Sequence, residues 1–503
     1  MRTSISLTRR EAILASGVAT AGLLLGVRRL PAFAASGDGP ALPIPRLIEA
    51  RSDRPVVLAM AASRHDFGRG QAASAGISAS YLGPVVRVQS GDTVPFQVEN
   101  RLSEDTTLHW HGLLVPSAVD GGPHNTIAAG ATWSPELKIA QGPATTWFHP
   151  HPHGRTARQV YSGLAGMMIV SDQGDRDRGL PADYGVDDLP IVLQDKRFDR
   201  SGTPVYRPSM MELMDGFQGD TLLVNGAIAP VAAVPAGMVR LRVLNAANAR
   251  NFDLRFADRR PFHVVANDGG YLGEPVEVRR LVVAPGERYE VLVDFAGGAA
   301  VALVTDADTQ HGSSGMGMMM MGPAVAGTMV RFVPNDRIAA KVTRLPQKLG
   351  ALPQADTGAV AARRSFVLDP MAMGGMMGGM GGGGMAGMGG DGMGGMRTIN
   401  GRSFDMKRID ATAKLGTSEV WEISAPQMNH PFHVHGASFR VISIDGRKPP
   451  AEQAGLKDVV LVQNKAEILL RFEKPAPAAM PYMFHCHILE HEDQGMMGQL
   501  AVV

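Results

Sequence analysis

Short runs in which apolar and polar residues alternate recur along the whole chain, each closed by a glycine or proline turn. A period of two buries one face of a strand and wets the other, so the pattern predicts β-strands throughout. No stretch carries the periodicity of a long amphipathic helix. One unit of the pattern occurs three times. Val88-Gln89-Ser90-Gly91-Asp92-Thr93-Val94-Pro95-Phe96-Gln97-Val98 is echoed by Val234-Pro235-Ala236-Gly237-Met238-Val239-Arg240-Leu241-Arg242-Val243, and again by Lys414-Leu415-Gly416-Thr417-Ser418-Glu419-Val420-Trp421-Glu422-Ile423. Each is a glycine turn opening an alternating strand. A second strand is expected about seventeen residues after each glycine, in Thr107–His111, Asn251–Phe256 and Pro431–His435. The repeat suggests three β-sandwiches of Greek-key type.

Length and composition agree with this reading. The 503 residues include 60 Gly and 34 Pro, a turn-rich usage, and suffice for roughly three domains of about 150 residues. The first 34 residues stand apart. Thr8-Arg9-Arg10-Glu11-Ala12-Ile13-Leu14 resembles a twin-arginine export signal, followed by an apolar run from Ala12 to Val27 and an Ala32-Phe33-Ala34 cleavage site. The apolar run is shorter than the roughly 20 residues of a spanning helix, so a cleaved signal of residues 1–34 is expected, with no membrane integration. It implies the Tat export machinery as a partner and a periplasmic location. Net charge is +1, and removing the leader's five arginines and one glutamate leaves the mature chain near −3. No basic surface dominates, which argues against nucleic acid and anionic membrane.

Candidate chemistry concentrates in the histidines. The only cysteine lies in Phe484-His485-Cys486-His487, with His491 and Met496 downstream. On a strand His485 and His487 share one face while Cys486 points to the other, so one tripeptide can serve two metal sites. A thiolate, imidazoles and a weak axial thioether form the ligand set of a blue copper site. Three further His-x-His pairs occur, His109/His111, His149/His151 and His433/His435, the last preceded by His430. Read as strands, each pair sets its rings about 6.6–7 Å apart on one face, suited to neighbouring ions. An exported chain with a single cysteine cannot form an internal disulfide, and metal ligation would protect the thiol. The other histidines, His65, His124, His153, His263 and His311, are expected at the surface or behind the ligands.

In order and spacing, these four segments resemble the multicopper oxidases. The resemblance implies an all-β chain of three cupredoxin-like Greek-key β-sandwich domains, expected at residues 45–175, 176–345 and 360–503. It implies four copper ions: one type 1, held by His430, Cys486, His491 and Met496; one type 2, at His109 and His433; and two type 3, at His111, His149, His151, His435, His485 and His487. Ligands split between the first and third domains require those domains to pack together, with the copper-free second domain as a spacer. Asp120 and Glu492 match acidic positions used as proton relays in reducing O2 to water, so Cys486, Glu492 and Asp120 are the expected catalytic residues.

Residues 371–396 hold nine Met and fourteen Gly, and Met316–Met321 form a second cluster. Thioethers favour Cu(I). The insertion resembles that of the bacterial periplasmic cuprous oxidases of copper resistance and points to a substrate site at Met371, Met373 and Met428. Pro426, Leu368 and Met373 depart from that subfamily's pattern. The expected activity is oxidation of Cu(I) to Cu(II) for copper tolerance. The alternatives are a laccase-like oxidase of phenols or aromatic amines, and a non-enzymatic copper-sequestering protein.

Overall fold

The structure, a computed structural model, describes residues 39–174, 177–309, 325–352, 360–369 and 397–503. The leader 1–34, Met316–Met321, and the insertion 371–396 with Met371 and Met373 lie outside the described residues.

The described chain builds six sheets, two for each of three sandwiches. The strands of the sequence repeat are Thr93–Asn100, Met238–Asn245 and Ser418–Ser424. Each pairs in parallel with a preceding strand, Val56–Asp66, Asp188–Lys196 and Val360–Asp369 respectively. The same glycine-then-strand signal therefore produces the same local topology three times. Each sandwich closes over its own apolar core, represented by Phe96 and Leu137 in the first, Phe252 and Val291 in the second, and Trp421 and Phe432 in the third.

The second strand of the repeat forms at Phe252–Phe256 and at His430–Val434 but not at Thr107–His111. There His109 makes only an isolated bridge to His149, and Trp110 donates its N–H to the Asp120 carbonyl. Gly112, at a φ of 86°, turns the chain out of extended conformation directly after His111. The neighbouring strand Ala144–Phe148 stops before Pro150 and Pro152, which have no N–H to give a ladder.

Further clusters lie between the sandwiches. Phe67, Tyr81 and Trp147 of the first pack with Tyr184, Val192 and Leu244 of the second. Two short helices, α1 (Thr156–Ser162) and α3 (Leu489–Asp493), meet through Ala157, Val160 and Leu489. A third, α2 (Met210–Asp215), lies between these two in sequence and contacts α3. Buried charges add a polar joint. Glu290 accepts from Arg240 Nε at 2.8 Å, Arg242 Nη1 at 2.8 Å and Thr145 Oγ1 at 2.6 Å, and Arg242 also reaches Asp188 at 2.7 Å.

Burial alone would raise the Glu290 carboxyl, but Arg240 and Arg242 outweigh it and hold it at about 2, below the ordinary 4.5. Its contribution to stability is therefore complete above pH 4.5 and is lost as the pH falls toward 2. Glu290→Ala leaves buried arginine charge uncompensated and is expected to cost roughly 3–5 kcal/mol, measured by denaturant unfolding. The variant should also lose part of the parent's acid sensitivity in that pH window.

Candidate metal centre

The four His-x-His pairs meet at one place. His109, His111, His149 and His151 from the first sandwich, and His433, His435, His485 and His487 from the third, are all buried. The halves interleave: His111 stacks on His433 with ring centroids 3.7 Å apart, and His109 on His435 at 3.8 Å. Within the pairs the rings lie 5.6, 6.0, 5.0 and 5.7 Å apart, closer than strand spacing sets them. The reason is that only two of the four pairs begin on regular strands, and His435 and His487 follow the ends of those strands.

Hydrogen bonds decide which nitrogen of each ring carries the proton, because a carbonyl can only accept. Nδ1 donates to the Asp120 carbonyl from His109 at 3.0 Å, and to the Pro150 carbonyl from His149 at 2.9 Å. Likewise His433 donates to the Asp458 carbonyl at 2.8 Å and His485 to the Cys486 carbonyl at 3.0 Å. His435 Nδ1 lies 2.7 Å from Asp120 Oδ2, and His111 Nε2 lies 3.0 Å from Asp458 Oδ1. The opposite nitrogens of His109, His111, His149 and His433 are buried with no hydrogen-bond partner. His435 Nε2 and His485 Nε2 face one another at 3.2 Å with both protons engaged elsewhere. Two buried lone pairs at that distance repel unless a cation lies between them.

Burial first, and then the adjacent imidazoles, push His111, His149, His151, His433, His435 and His487 well below the usual histidine range. Burial brings His485 down to about 3. Neutral imidazole is the ligating form, so this donor set fits several transition-metal ions.

A second donor set lies one residue away. Cys486 Sγ is 3.3 Å from His430 Nδ1 and 3.6 Å from His491 Nδ1, and the two nitrogens are 3.3 Å apart. His430 and Cys486 come from paired strands, whose register sets Phe432 opposite Cys486 and His433 opposite His485. Strand alternation thus sends Cys486 to this side and His485 to the imidazole cluster. Met496 and Met428 are buried in the same apolar cluster as Cys486. His491 Nε2 donates to the Met214 carbonyl at 2.9 Å, which leaves Nδ1 as a lone pair toward the sulfur. Burial raises the Cys486 thiol, so it stays protonated unless a metal displaces the proton.

Comparison with known proteins gives the family. Multicopper oxidase family matches cover residues 60–175, 193–314 and 385–503. The chain belongs to the multicopper oxidase family. Among solved structures, the laccase-like multicopper oxidase CueO of Ochrobactrum sp. is 48% identical, covers 92% of this chain and 100% of its own, and superposes with a TM-score of 0.82. McoA of Aquifex aeolicus is 30% identical, with a TM-score of 0.77, over 93% of this chain and 100% of its own. Curated relatives include the cell division protein FtsP of Rahnella sp., 39% identical, and that of Escherichia coli K12, 38% identical, each matched over 99% of both chains.

The two carboxylates expected at the cluster of this multicopper oxidase flank it. Asp120 reaches His435 and lies 3.3 Å from His109 Nδ1. Glu492 lies 3.3 Å from both His151 Nδ1 and His485 Nδ1. Of the remaining histidines, His124 contacts Gln499, His65 stacks on Tyr81, His153 packs on Phe404 and His263 lies near Glu277. His311 is outside the described residues.

Arg288 gives the second domain, expected as a spacer between the other two, a direct hold on the centre as well. Its guanidinium clasps Asp458 through Nη1–Oδ1 and Nη2–Oδ2, each 2.6 Å. Its other donors reach the carbonyls of Thr145, Gly286 and Asp268 at 3.0 Å. Asp458 in turn holds His111 by its carboxylate and His433 by its carbonyl. Gly286, with a φ of 85°, lies so close to His487 that a Cβ would fall 2.9 Å from the ring. No motif marks Asp458 or Arg288 in the sequence, and Gly286 reads there as an ordinary Pro-Gly turn.

Asp458→Ala removes the acceptor of His111 and strands the Arg288 charge. Copper retention in the imidazole cluster should fall about 10–100-fold, by analogy with other residues that orient metal ligands. Stability should drop by roughly 3–5 kcal/mol. Copper per chain after dialysis against a chelator, with the copper at Cys486 followed separately by its blue absorption, measures the first effect. Retention equal to the parent's would contradict it.

Proposed function

We propose that the protein is an exported oxidase that converts Cu(I) to Cu(II) and reduces dioxygen to water, protecting the periplasm from copper. The observation that carries this reading is the complete donor set: eight buried imidazoles, six of them oriented by hydrogen bonds so that a lone pair faces the cluster, joined to a His430–Cys486–His491 group through His485-Cys486-His487. His430, Cys486, His491 and Met496 would hold the type 1 copper, and His109 and His433 the type 2 copper. His111, His149, His151, His435, His485 and His487 would hold the two type 3 ions. Four copper ions so placed would supply one-electron acceptance on the Cys486 side and four-electron delivery to dioxygen on the imidazole side.

The chain's own residues do the rest. The covalent path from Cys486 to each adjacent histidine is the shortest link between the two groups. Asp120 holds the proton on His435 Nδ1, and Glu492 stands beside His151 Nδ1 and the Nδ1 proton of His485, where a carboxyl can pass protons inward. The surrounding burial keeps bulk water from the imidazoles. Cu(I) as the reductant is supported by the thioether content of residues 371–396 and by Met428, two residues before His430. The leader supports Tat-dependent export.

A second reading, a laccase-like oxidase of phenols, is favoured by the 48% identical Ochrobactrum protein, whose oxidase activity is described toward lignin model compounds. The cell division name of the curated relatives suggests a third role, in cell division.

Oxygen uptake by the copper-loaded mature protein, with Cu(I) and separately with a phenol, tests these readings. Deletion of residues 371–396 should sharply lower Cu(I) turnover while phenol turnover holds or rises. Good phenol oxidation with Cu(I) turnover indifferent to the deletion would favour the laccase-like reading. No oxygen uptake with either reductant would remove the oxidase reading and leave the division role.

A further inference from the structure

Helix α2, Met210-Met211-Glu212-Leu213-Met214-Asp215, contains no buried residue. Surface helices without a core face are normally polar, since exposed apolar side chains add nothing to their stability. Here three of six residues are methionine, and Met210 and Met211 are 48% and 45% exposed, among the few large apolar side chains so exposed in the described residues. Core packing does not explain them.

The helix is nevertheless held firmly. Ser209 and Glu212 form a reciprocal cap at its start, and Glu212 is paired with Arg197. Its last turn is fastened to α3 and the residue after it: the Leu213 carbonyl accepts from Gln494 Nε2 at 2.6 Å, and the Met214 carbonyl from His491 Nε2 at 2.9 Å. The ring of His491 therefore carries the Cys486 group on one side and α2 on the other. Met210 and Met214 are four residues apart and so lie on one helix face, and Met211 stands likewise to Asp215.

We propose that α2 is a Cu(I) capture site of the second domain, with Met210, Met211 and Met214 as thioether ligands at the surface over His491. The site uses no residue of the insertion 371–396 and does not use Met428, and its role in turnover rests on the oxidase reading above. Thioethers bind the soft Cu(I) and release the harder Cu(II), so loss of one electron also frees the product. That electron leaves Cu(I) and enters through the Met214 carbonyl and its hydrogen bond to His491, dioxygen being the final acceptor, which with four electrons and four protons gives two waters.

Ag(I), which has the same softness and no redox step, probes the site without depending on oxidase activity. The full-length mature protein and its Met210→Leu/Met211→Leu/Met214→Leu variant are titrated with Ag(I) against a chromogenic chelator. Leu keeps the apolar volume, and circular dichroism confirms the fold. The variant should bind one Ag(I) fewer, and its KM for Cu(I) should rise about tenfold, a change of 1.4 kcal/mol. Equal Ag(I) stoichiometry would overturn the site, and a lost Ag(I) with unchanged Cu(I) kinetics would overturn its role in turnover. If one Ag(I) is lost but neither protein oxidises Cu(I), the capture site stands and the oxidase reading falls.

Discussion

The Arg288–Asp458 clasp is the constraint on which the metal centre depends. Two charges without access to water are tolerable only when every donor and acceptor is used. Arg288 meets that condition by spending its donors on Thr145 of the first sandwich, Gly286 and Asp268 of its own, and Asp458 of the third. The backbone of Asp458 is held as well, since Lys457 pairs with Asp268 and Glu287 at 3.0 Å. Three sandwiches that each close their own core are thus locked at one buried point, directly behind His111 and His433.

That lock gives the middle domain a chemical task. Because Asp458 accepts at His111 Nε2, His111 turns Nδ1 inward, whereas His109, His149 and His433 present Nε2. A ring on the wrong tautomer would aim a proton at the centre in place of a lone pair. Gly286 adds a steric term, since His487 occupies the volume a side chain would need. Domain closure and ligand orientation are therefore one event, and metal uptake should favour the assembled arrangement.

Much of this was legible in the sequence, for identifiable reasons. The glycine-plus-alternation repeat is a local signal, and it produced equivalent strand pairs in all three sandwiches. The His-Cys-His tripeptide is local too, and alternation alone divides its side chains between two sites. Thr107–His111 departed from its expected strand because Gly112 and the prolines after His149 favour bridges and turns over a ladder. Asp458, Arg288 and Gly286 were not legible. Their importance comes from partners about 170 to 350 positions away, as in Arg288 with Asp458 and Asp458 with His111. The exposure of Met210 and Met211 was equally hidden, since a methionine in a short apolar run reads as core.

Copper-edge anomalous diffraction from crystals of the copper-loaded mature protein tests the central claim most directly. The account predicts four peaks: three among the eight imidazoles between the first and third sandwiches, and one between His430, Cys486 and His491. Absence of copper from the imidazole cluster, with or without an ion at Cys486, would contradict it.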